Sequence, residues 1–321
     1  MAGLMELGAL GHFGFLTLPN YSMIACANAI EALRMANRVS ARSAYKWQLL
    51  TADGAPARAS NGMSLHPSAA LSSARALDIL FVCGGVDIRR STGRAVLAAL
   101  RQFARERIPL GALCTGSFAL AEAGLLSGYR CAIHWENLAA IREEFPDIHF
   151  LDDLYAIDRD RITCTGGIAP LDLMLTLIRA RLGHGIAERI ATQFIVERGR
   201  RATEHQPLLP AVPSGPSHAR LEQAVRLIQS KLDEQLHMST IATEVGLSTR
   251  QLERLFKRYL GQTPAALWKR LRLDRARTLL TQTAMPITDV SVACGFSTAA
   301  HFSTAYRHQF GCTPSTERAT S

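Results

Sequence analysis

Cys114 is the residue of this 321-residue chain whose surroundings best suit nucleophilic chemistry. An apolar run from Ile108 to Leu113 leads directly into Cys114-Thr115-Gly116, and a helical pattern begins at Ser117. A strand, a tight turn and a helix in this order form a nucleophile elbow. The helix dipole favours the thiolate form of a cysteine at a helix start. The pattern therefore indicates thiol chemistry or a small-molecule site at Cys114.

A catalytic thiol needs a base, and His134 is the candidate. His134 lies in Ile133-His134-Trp135-Glu136 and reaches Cys114 only if the fold returns it to the elbow. Three interpretations stay open: a small residue tolerated at a tight turn, ligand binding without turnover, and catalysis. Cys114 and His134 are the residual catalytic candidates. We expect ligand contacts from these two residues and from three neighbours, Thr115, Trp135 and Glu136.

Trp135 and Glu136 suit a cationic ligand. A quaternary ammonium group binds an aromatic face, which contributes about 0.5–2 kcal/mol, and benefits from a nearby acid. Backbone N–H groups after Cys114 suit a carboxylate. A core position for Trp135 is the competing interpretation. The 10 histidines and seven cysteines show no metal-ligand spacing and no phosphate loop occurs, so we expect no metal and no cofactor.

A second set of candidates lies in the C-terminal third, which is basic. Residues 219–321 hold 14 Lys and Arg and 8 Asp and Glu, a net charge of +6, whereas residues 1–218 reach +3. The same region contains a repeat: Gly246-Leu247-Ser248-Thr249 recurs as Gly295-Phe296-Ser297-Thr298, 49 residues later. Each copy predicts a helix, a glycine turn and a second helix, which is the helix-turn-helix pattern.

The second helix of such a unit enters the major groove of DNA. Arginine bonds guanine bidentately there, and Lys and Arg neutralise phosphates. The second copy is less basic, so we expect weaker or more phosphate-directed contacts from it. A helix from Pro264 to Gln282, about 28 Å long, can place the two units in successive grooves. The expected DNA contacts are Ser248, Arg250, Gln251, Arg254, Lys257, Arg258, Thr298, His301, Thr304 and Arg307.

These motifs, with the run from Ile287 to Phe296 and the closing Gly311-Cys312-Thr313-Pro314, resemble the DNA-binding domain of the AraC/XylS family. The resemblance covers residues 219–321. It implies a sequence-specific transcription regulator, usually an activator, with double-stranded DNA and RNA polymerase as partners.

The elements that position Cys114 belong to an α/β pattern. Residues 1–205 alternate strand-like and helical segments, which predicts a mainly parallel sheet flanked by helices, followed by an all-α domain with two helix-turn-helix units. Ligands bind at the carboxyl ends of such strands, where Cys114 lies. Prolines at 207, 210, 213 and 216 indicate an extended spacer. The predicted domains are therefore 1–205 and 219–321, with a linker over 206–218.

Residues 1–205 are similar to the ThiJ/PfpI group of the class I glutamine-amidotransferase-like fold. The similarity rests on Glu31 to Asn37, Cys83-Gly84-Gly85, Gly111 to Gly116, Ala123 to Gly128, His134-Trp135, and Gly166-Gly167 with Asp172. The two domains together resemble the GlxA-type regulators, and most of all regulators of choline, glycine betaine and carnitine catabolism, with arginine-catabolism regulators nearby. The implied effector is a betaine, carnitine or an amino acid. Proteases of the group have His directly after the cysteine, where this chain has Thr115. Their relatives also have an acid in the first strand-to-helix loop, and alignment back from Glu31 puts Ala25 at that position. The resemblance therefore implies a sensor of a small metabolite rather than an enzyme.

The leading hypothesis is a cytoplasmic, effector-responsive transcription activator that forms a homodimer. The first rival is a Cys114-dependent hydrolase or lyase that carries a DNA-binding domain. The second is an interaction scaffold that acts through the proline spacer. Leu7 to Ile30 is uncharged, but its glycines and Pro19 interrupt it and no basic residue precedes it, so we expect no membrane segment.

Overall fold

The structure, a computed structural model, describes residues 6–196, 199–204, 206, 216–234 and 236–320. The chain divides into two compact units, Met1–Gln206 and Pro207–Ser321. The predicted linker over 206–218 is too long at both ends. Gln206 is buried in the first unit, and a helix begins at Pro216. The rest of the predicted linker, residues 207–215, lies outside the described residues.

The first unit alternates strands and helices, as the pattern predicted. Its described elements are β1 (His12–Thr17), α1 (Met23–Ser40), β2 (Lys46–Thr51), β3 (Ala69–Ala70), β4 (Ile79–Cys83), α2 (Ile88–Ser91), α3 (Arg94–Arg105), β5 (Leu110–Leu113), α4 (Gly116–Glu122), β6 (Arg130–Ala132), α5 (Trp135–Glu144), β7 (His149–Leu151), β8 (Tyr155–Asp158), β9 (Arg161–Cys164), α6 (Ala169–Leu182) and α7 (His184–Gln193).

Seven of these strands form one sheet in the order β3-β2-β1-β4-β5-β9-β8. Neighbouring strands run parallel except for β8, which is antiparallel to β9. Strands β6 and β7 form a separate parallel pair. The predicted α/β fold with a mainly parallel sheet is therefore confirmed.

Successive side chains of the central strands point to opposite faces of the sheet, so each face has its own apolar core. Phe15 and Phe81 stack with ring centroids 5.8 Å apart, on the face that α1, α6 and α7 cover. Leu80 and Val82 point to the other face, against α3, α4 and α5. Burying one such side chain contributes about 1.5–3 kcal/mol, so both faces must be covered. Because β1, β4, β5 and β9 run parallel, their carboxyl ends meet at one edge of the sheet.

All the described secondary-structure elements of the second unit are helices. Its elements are α8 (Pro216–Ser230), α9 (Met238–Glu244), α10 (Thr249–Leu260), α11 (Pro264–Gln282), α12 (Ile287–Ala293), α13 (Ala299–Phe310) and α14 (Pro314–Thr320). Helices α9 and α10 form one helix-turn-helix unit, and α12 and α13 form the other. No helix among residues 6–320, where described, has an apolar stretch that would reach across a bilayer.

Local chemistry explains the helix ends of the second unit. Gly246 and Gly295 have φ values of +67° and +70°, a left-handed conformation that glycine adopts without a Cβ clash. The Ser248 hydroxyl accepts a hydrogen bond from the Gln251 backbone N–H, and the Gln251 Oε1 accepts one from the Ser248 backbone N–H, which confirms the predicted capping box. The connecting helix α11 has the predicted bounds and starts with Pro264.

Candidate functional site

Cys114 occupies the sharp turn between β5 and α4. Its φ is +59°, an uncommon conformation for a residue with a side chain. The turn depends on Gly116, because a Cβ at that position would lie 2.0 Å from the carbonyl oxygen of Val82. The Cys114 N–H donates to the Thr165 carbonyl at 3.3 Å, which ties the turn to the end of β9. The structure therefore contains the elbow that the sequence predicted.

The fold returns His134 to this elbow, as base catalysis or ligand binding would require. The His134 backbone N–H donates to the Cys114 carbonyl at 3.2 Å. Both side chains border Gly166: a Cβ there would lie 3.2 Å from the Cys114 Sγ and 2.5 Å from the His134 Cδ2. Gly166 therefore keeps open the space where the thiol and the imidazole converge.

Burial determines the protonation state of the thiol. Desolvation raises the pKa of Cys114 to about 11, and the charge of Glu136 contributes in the same direction. Hydrogen bonds from the Thr115 backbone and the Ser22 hydroxyl favour the thiolate but do not offset burial. Cys114 is therefore a neutral thiol at neutral pH, because desolvation disfavours the charged form more than the start of α4 stabilises it.

Burial also keeps His134 neutral. Desolvation lowers the pKa of His134, while the charge of Glu136 acts in the opposite direction. The His134 Nδ1 lies 3.7 Å from the Glu136 Oε2. A protonated thiol next to a neutral imidazole carries no charge at neutral pH, which distinguishes this pair from an activated cysteine–histidine pair.

Trp135 is exposed at the edge of the site. Its side chain is 44% exposed, so the interpretation of Trp135 as a core aromatic residue is wrong. Its ring lies 5.7 Å from the His134 ring, centroid to centroid. The Glu136 side chain is exposed as well. Thr115, in contrast, is buried, and its hydroxyl donates to the Gly85 carbonyl at 2.8 Å, which leaves only its backbone N–H directed at the thiol.

Several residues of the site have no signal in the sequence. Ser22 precedes α1, and its hydroxyl lowers the pKa of the Cys114 thiol, which burial raises. Ile24, Val86 and Ile168 are exposed apolar residues that follow β1, β4 and β9 at the same sheet edge as Cys114. Sheet order brings these positions together, and local sequence does not reveal it. Among the described residues, no group of three or more His, Cys, Asp or Glu is placed to hold a metal ion.

The first recognition helix, α10, presents a basic face. Arg250, Arg254 and Lys257 are exposed and fall on one stripe at a spacing of four and three residues. Ser248, Gln251 and Arg258 are also exposed, whereas Leu252 and Phe256 are buried against α8 and α9. The six predicted DNA contacts of the first helix-turn-helix unit are therefore accessible to solvent, on α10 and at its N-cap.

The second recognition helix, α13, presents a more neutral face. The Thr298 hydroxyl caps the helix by accepting from the His301 N–H at 3.2 Å. Thr298, His301, Thr304 and Arg307 are exposed, and Phe302 and Tyr306 are buried on the opposite side. The two units thus share their geometry and differ in charge.

Two family comparisons cover most of the chain. The DJ-1/PfpI family matches residues 24–180, and a helix-turn-helix domain family matches residues 241–320. The first match contains the elbow with Cys114 and His134. The second contains α10, α11 and α13.

Relatives that align with nearly the whole chain cover both of these matched regions. The chain is 45% identical to the HTH-type transcriptional regulator GbdR of Pseudomonas aeruginosa, over 95% of this chain and 83% of that protein. It is 41% identical to the HTH-type transcriptional regulator CdhR of the same species, over 96% and 91%. A crystal structure of an AraC family transcriptional regulator from Pseudomonas putida matches 57% of this chain and 99% of its own, with 29% identity and a TM-score of 0.52.

Proposed function

The chain belongs to the HTH-type transcriptional regulators that join a DJ-1/PfpI domain to an AraC-type DNA-binding domain, and we propose that a small metabolite bound beside Cys114 controls its action on DNA. The observation that carries the proposal is the convergence of Cys114 and His134 on Gly166 under an exposed Trp135. Residues up to Gln206 serve as the sensing domain, and those from α8 onward bind DNA.

In this proposal, α10 recognises the base sequence of the DNA. Arg250 and Arg254 contact base edges, and Lys257 and Arg258 contact phosphates. Ser248 and Gln251 lie at the helix start, where recognition helices approach the bases most closely. Thr298, His301, Thr304 and Arg307 on α13 contact the next groove, mostly through the backbone of the DNA. The net charge of the region supports both assignments.

The proposed effector carries a quaternary ammonium group with apolar substituents. Trp135 offers an aromatic face, and Glu136 offers a carboxylate one residue further along α5. Neutral His134 and the Cys114 thiol complete a surface without positive charge, and Ile24, Val86 and Ile168 add apolar contacts nearby. Quaternary ammonium compounds such as glycine betaine, choline and carnitine combine these properties, in agreement with the expectation from sequence.

Ligand binding without turnover is the favoured mode, so we propose that the protein is not an enzyme. A protonated Cys114 is a poor nucleophile, and Thr115 provides no base beside it. The position at which relatives with activity have an acid is occupied by Ala25, which is buried in α1. The rival hydrolase or lyase hypothesis requires a thiolate at Cys114, which these surroundings disfavour.

The proposed partners follow from the regulator assignment. We propose a homodimer that binds a promoter operator, contacts RNA polymerase and activates a catabolic operon in the cytoplasm, where chromosomal DNA and the metabolite are both present. No metal or cofactor is needed for this activity.

A thermal-shift screen of the full chain tests the proposal. The panel contains glycine betaine, dimethylglycine, choline, carnitine and arginine. A ligand at 100 times its dissociation constant adds about 2.7 kcal/mol, which corresponds to roughly 5–10 °C for a domain of this size. We expect a selective shift that Trp135→Ala abolishes and that Trp47→Ala, a change of the same type in β2, does not. The absence of a shift across the panel would refute this effector class.

A further inference from the structure

The last described residue of the first unit is bonded to the backbone of the candidate effector site. Gln206 is 5% exposed, and its Nε2 donates to the Ile133 carbonyl at 3.0 Å and to the Asp153 carbonyl at 3.4 Å. Its backbone N–H donates to the Asp152 carbonyl at 3.1 Å. Since both neighbours of the side-chain amide are carbonyl oxygens, only an NH2 group suits this position.

A single peptide group connects Gln206 to Cys114. The Ile133 carbonyl accepts from Gln206, and the N–H of the same peptide, which belongs to His134, donates to the Cys114 carbonyl. Hydrogen bonds aligned through one peptide polarise each other, so each strengthens the next. A rotation of this peptide therefore weakens both bonds together.

A second series of bonds reaches the same segment from the other backbone group of Cys114. The Cys114 N–H donates to Thr165, and the Thr165 N–H donates to the Leu154 carbonyl at 2.9 Å. The Leu154 N–H then donates to the carbonyls of Ala202 and Glu204, each at 3.1 Å. The segment 202–206 is thus joined to the elbow through both Thr165 and His134.

The hydrogen bonds at the two ends of the segment 202–206 differ. Just before it, the Arg200 Nε donates to the Asp172 Oδ2 at 2.9 Å, and the Arg200 backbone N–H donates to Oδ1 at 2.8 Å. At the other end, the Gln206 Oε1 is buried and has no hydrogen-bond partner among the described residues. An unsatisfied buried oxygen is unfavourable, so the Gln206 end is easier to release than the Arg200 end.

We propose that Gln206 is a positioning residue that transmits occupation of the Cys114–His134 site to the start of the linker at Pro207. The inference rests on the proposed function and concerns the regulation of that site. A ligand that contacts Trp135 or His134 shifts the Ile133–His134 peptide, and this shift changes the bond that holds Gln206. By thermodynamic linkage, DNA binding that alters the linker changes effector affinity by the same factor.

The first experiment needs no ligand. Hydrogen–deuterium exchange of the full chain is compared for the wild type, Gln206→Glu and the matched control Glu204→Gln, whose side chain accepts from the nearby Arg201 N–H. Gln206→Glu places an acceptor against two carbonyls, and we expect exchange over residues 134–138 to rise about tenfold, as for the loss of one hydrogen bond. Unchanged exchange in that region, or an equal rise in the control, overturns the proposal.

The second experiment separates this inference from the proposed function, with glycine betaine as the probe. Calorimetry measures its binding, and exchange over residues 207–215 reports the response of the linker. We expect Gln206→Glu to bind the probe with an affinity that differs from the wild type by up to about tenfold, because the coupling that Gln206 carries is reciprocal, and to lose the linker response at saturating probe. A response that persists in the variant overturns the relay. Failure of the wild type to bind counts against the effector class alone, and the ligand-free exchange then decides the relay.

Discussion

At the scale of single residues, burial determines what Cys114 and His134 can do. Their positions at an elbow resemble those of an activated pair, yet desolvation raises the pKa of the thiol and lowers that of the imidazole. Both shifts favour the uncharged forms. The sequence alone predicted the position of each residue but not its protonation state, since the spacing of residues carries no information on desolvation.

Alkylation measures the state of Cys114 directly. Its pKa of about 11 lowers the thiolate fraction near pH 8 by about 100-fold relative to an ordinary cysteine, whose pKa is 9.0. We therefore expect carbamidomethylation of Cys114, followed by mass spectrometry, to be at least that much slower than for free cysteine. The same site in urea serves as the control and should react at the ordinary rate. Rapid modification of the folded protein at pH 7 would support the enzyme hypothesis instead.

The stability of the first unit should depend on His134 below neutral pH. The pKa of His134 is lower in the folded protein than the ordinary value of 6.5, so the unfolded chain takes up the proton first. The stabilisation is present above pH 6.5 and is lost as pH falls through the folded pKa. Urea unfolding at pH 7 and pH 5 should show a smaller loss for His134→Gln than for the wild type. His184→Gln, at an exposed position, is the control and should retain the full loss.

At the scale of elements, two helix-turn-helix units of equal geometry carry unequal charge. Helix α10 presents Arg250, Arg254 and Lys257, whereas α13 presents Thr304 and Arg307. Glycine turns, caps and apolar spacing are local features, so the sequence predicted the bounds of α11 and the capping box correctly. Long-range packing has no such signature, and the burial of Arg272 was missed for that reason.

Substitutions on α10 should change sequence preference. Arg250→Ala or Arg254→Ala should cost about 1–3 kcal/mol at particular base positions, because each removes a proposed bidentate contact to guanine. Affinity for a panel of operator variants measures the effect. Arg220→Ala, an exposed arginine of α8, makes the same change in charge and should lower affinity little and uniformly. A uniform loss for Arg250 and Arg254 would indicate phosphate contacts instead.

Arg272 should hold the second helix-turn-helix unit, α12 and α13, against α11. Its guanidinium lies 4.3 Å from the Trp268 ring and 4.7 Å from the Phe296 ring, and its Nε donates to the Cys294 carbonyl. Arg272→Ala should destabilise the unit by about 2–4 kcal/mol, because stacking and a buried hydrogen bond are both lost.

Thermal unfolding measures that loss. Arg272→Lys should recover only part of it, because an ammonium group cannot stack between two rings as a planar guanidinium does. Lys269→Ala, an exposed residue of the same helix, should leave the melting temperature unchanged. Equal stability of Arg272→Ala and the wild type would contradict the assignment.

At the scale of the whole molecule, the Cys114 site and most of the excess positive charge lie in different units. The uncharged elbow lies in the first, and most of the excess positive charge lies in residues 219–321. The order of domains and their classes followed from periodicity, the repeat and the proline spacing. The boundary at Gln206 did not, because only tertiary contacts to Ile133 and Asp152 show that it belongs to the first unit.

Operator affinity of the full chain should fall steeply with salt. Phosphate contacts release counterions, so a protein with 6–10 such contacts loses about 10³–10⁵ in affinity between 50 and 200 mM salt. Fluorescence anisotropy at several salt concentrations gives the slope, and Lys257→Ala should reduce it by about one unit. Trp135→Ala should leave the slope unchanged, since Trp135 lies in the other unit. A slope near zero would contradict a DNA-binding role for the basic face.

The place of Gln206 has a consequence for synthesis on the ribosome. Strand β9 is inserted between β5 and β8, so the sheet is incomplete until residue 164 has emerged. The bond from Gln206 to Ile133 forms only about forty residues later, after all the strands are in place. The first unit therefore finishes folding while the helices of the second unit are still being translated. Under the proposed function, a nascent chain therefore becomes able to bind its effector before it can bind DNA.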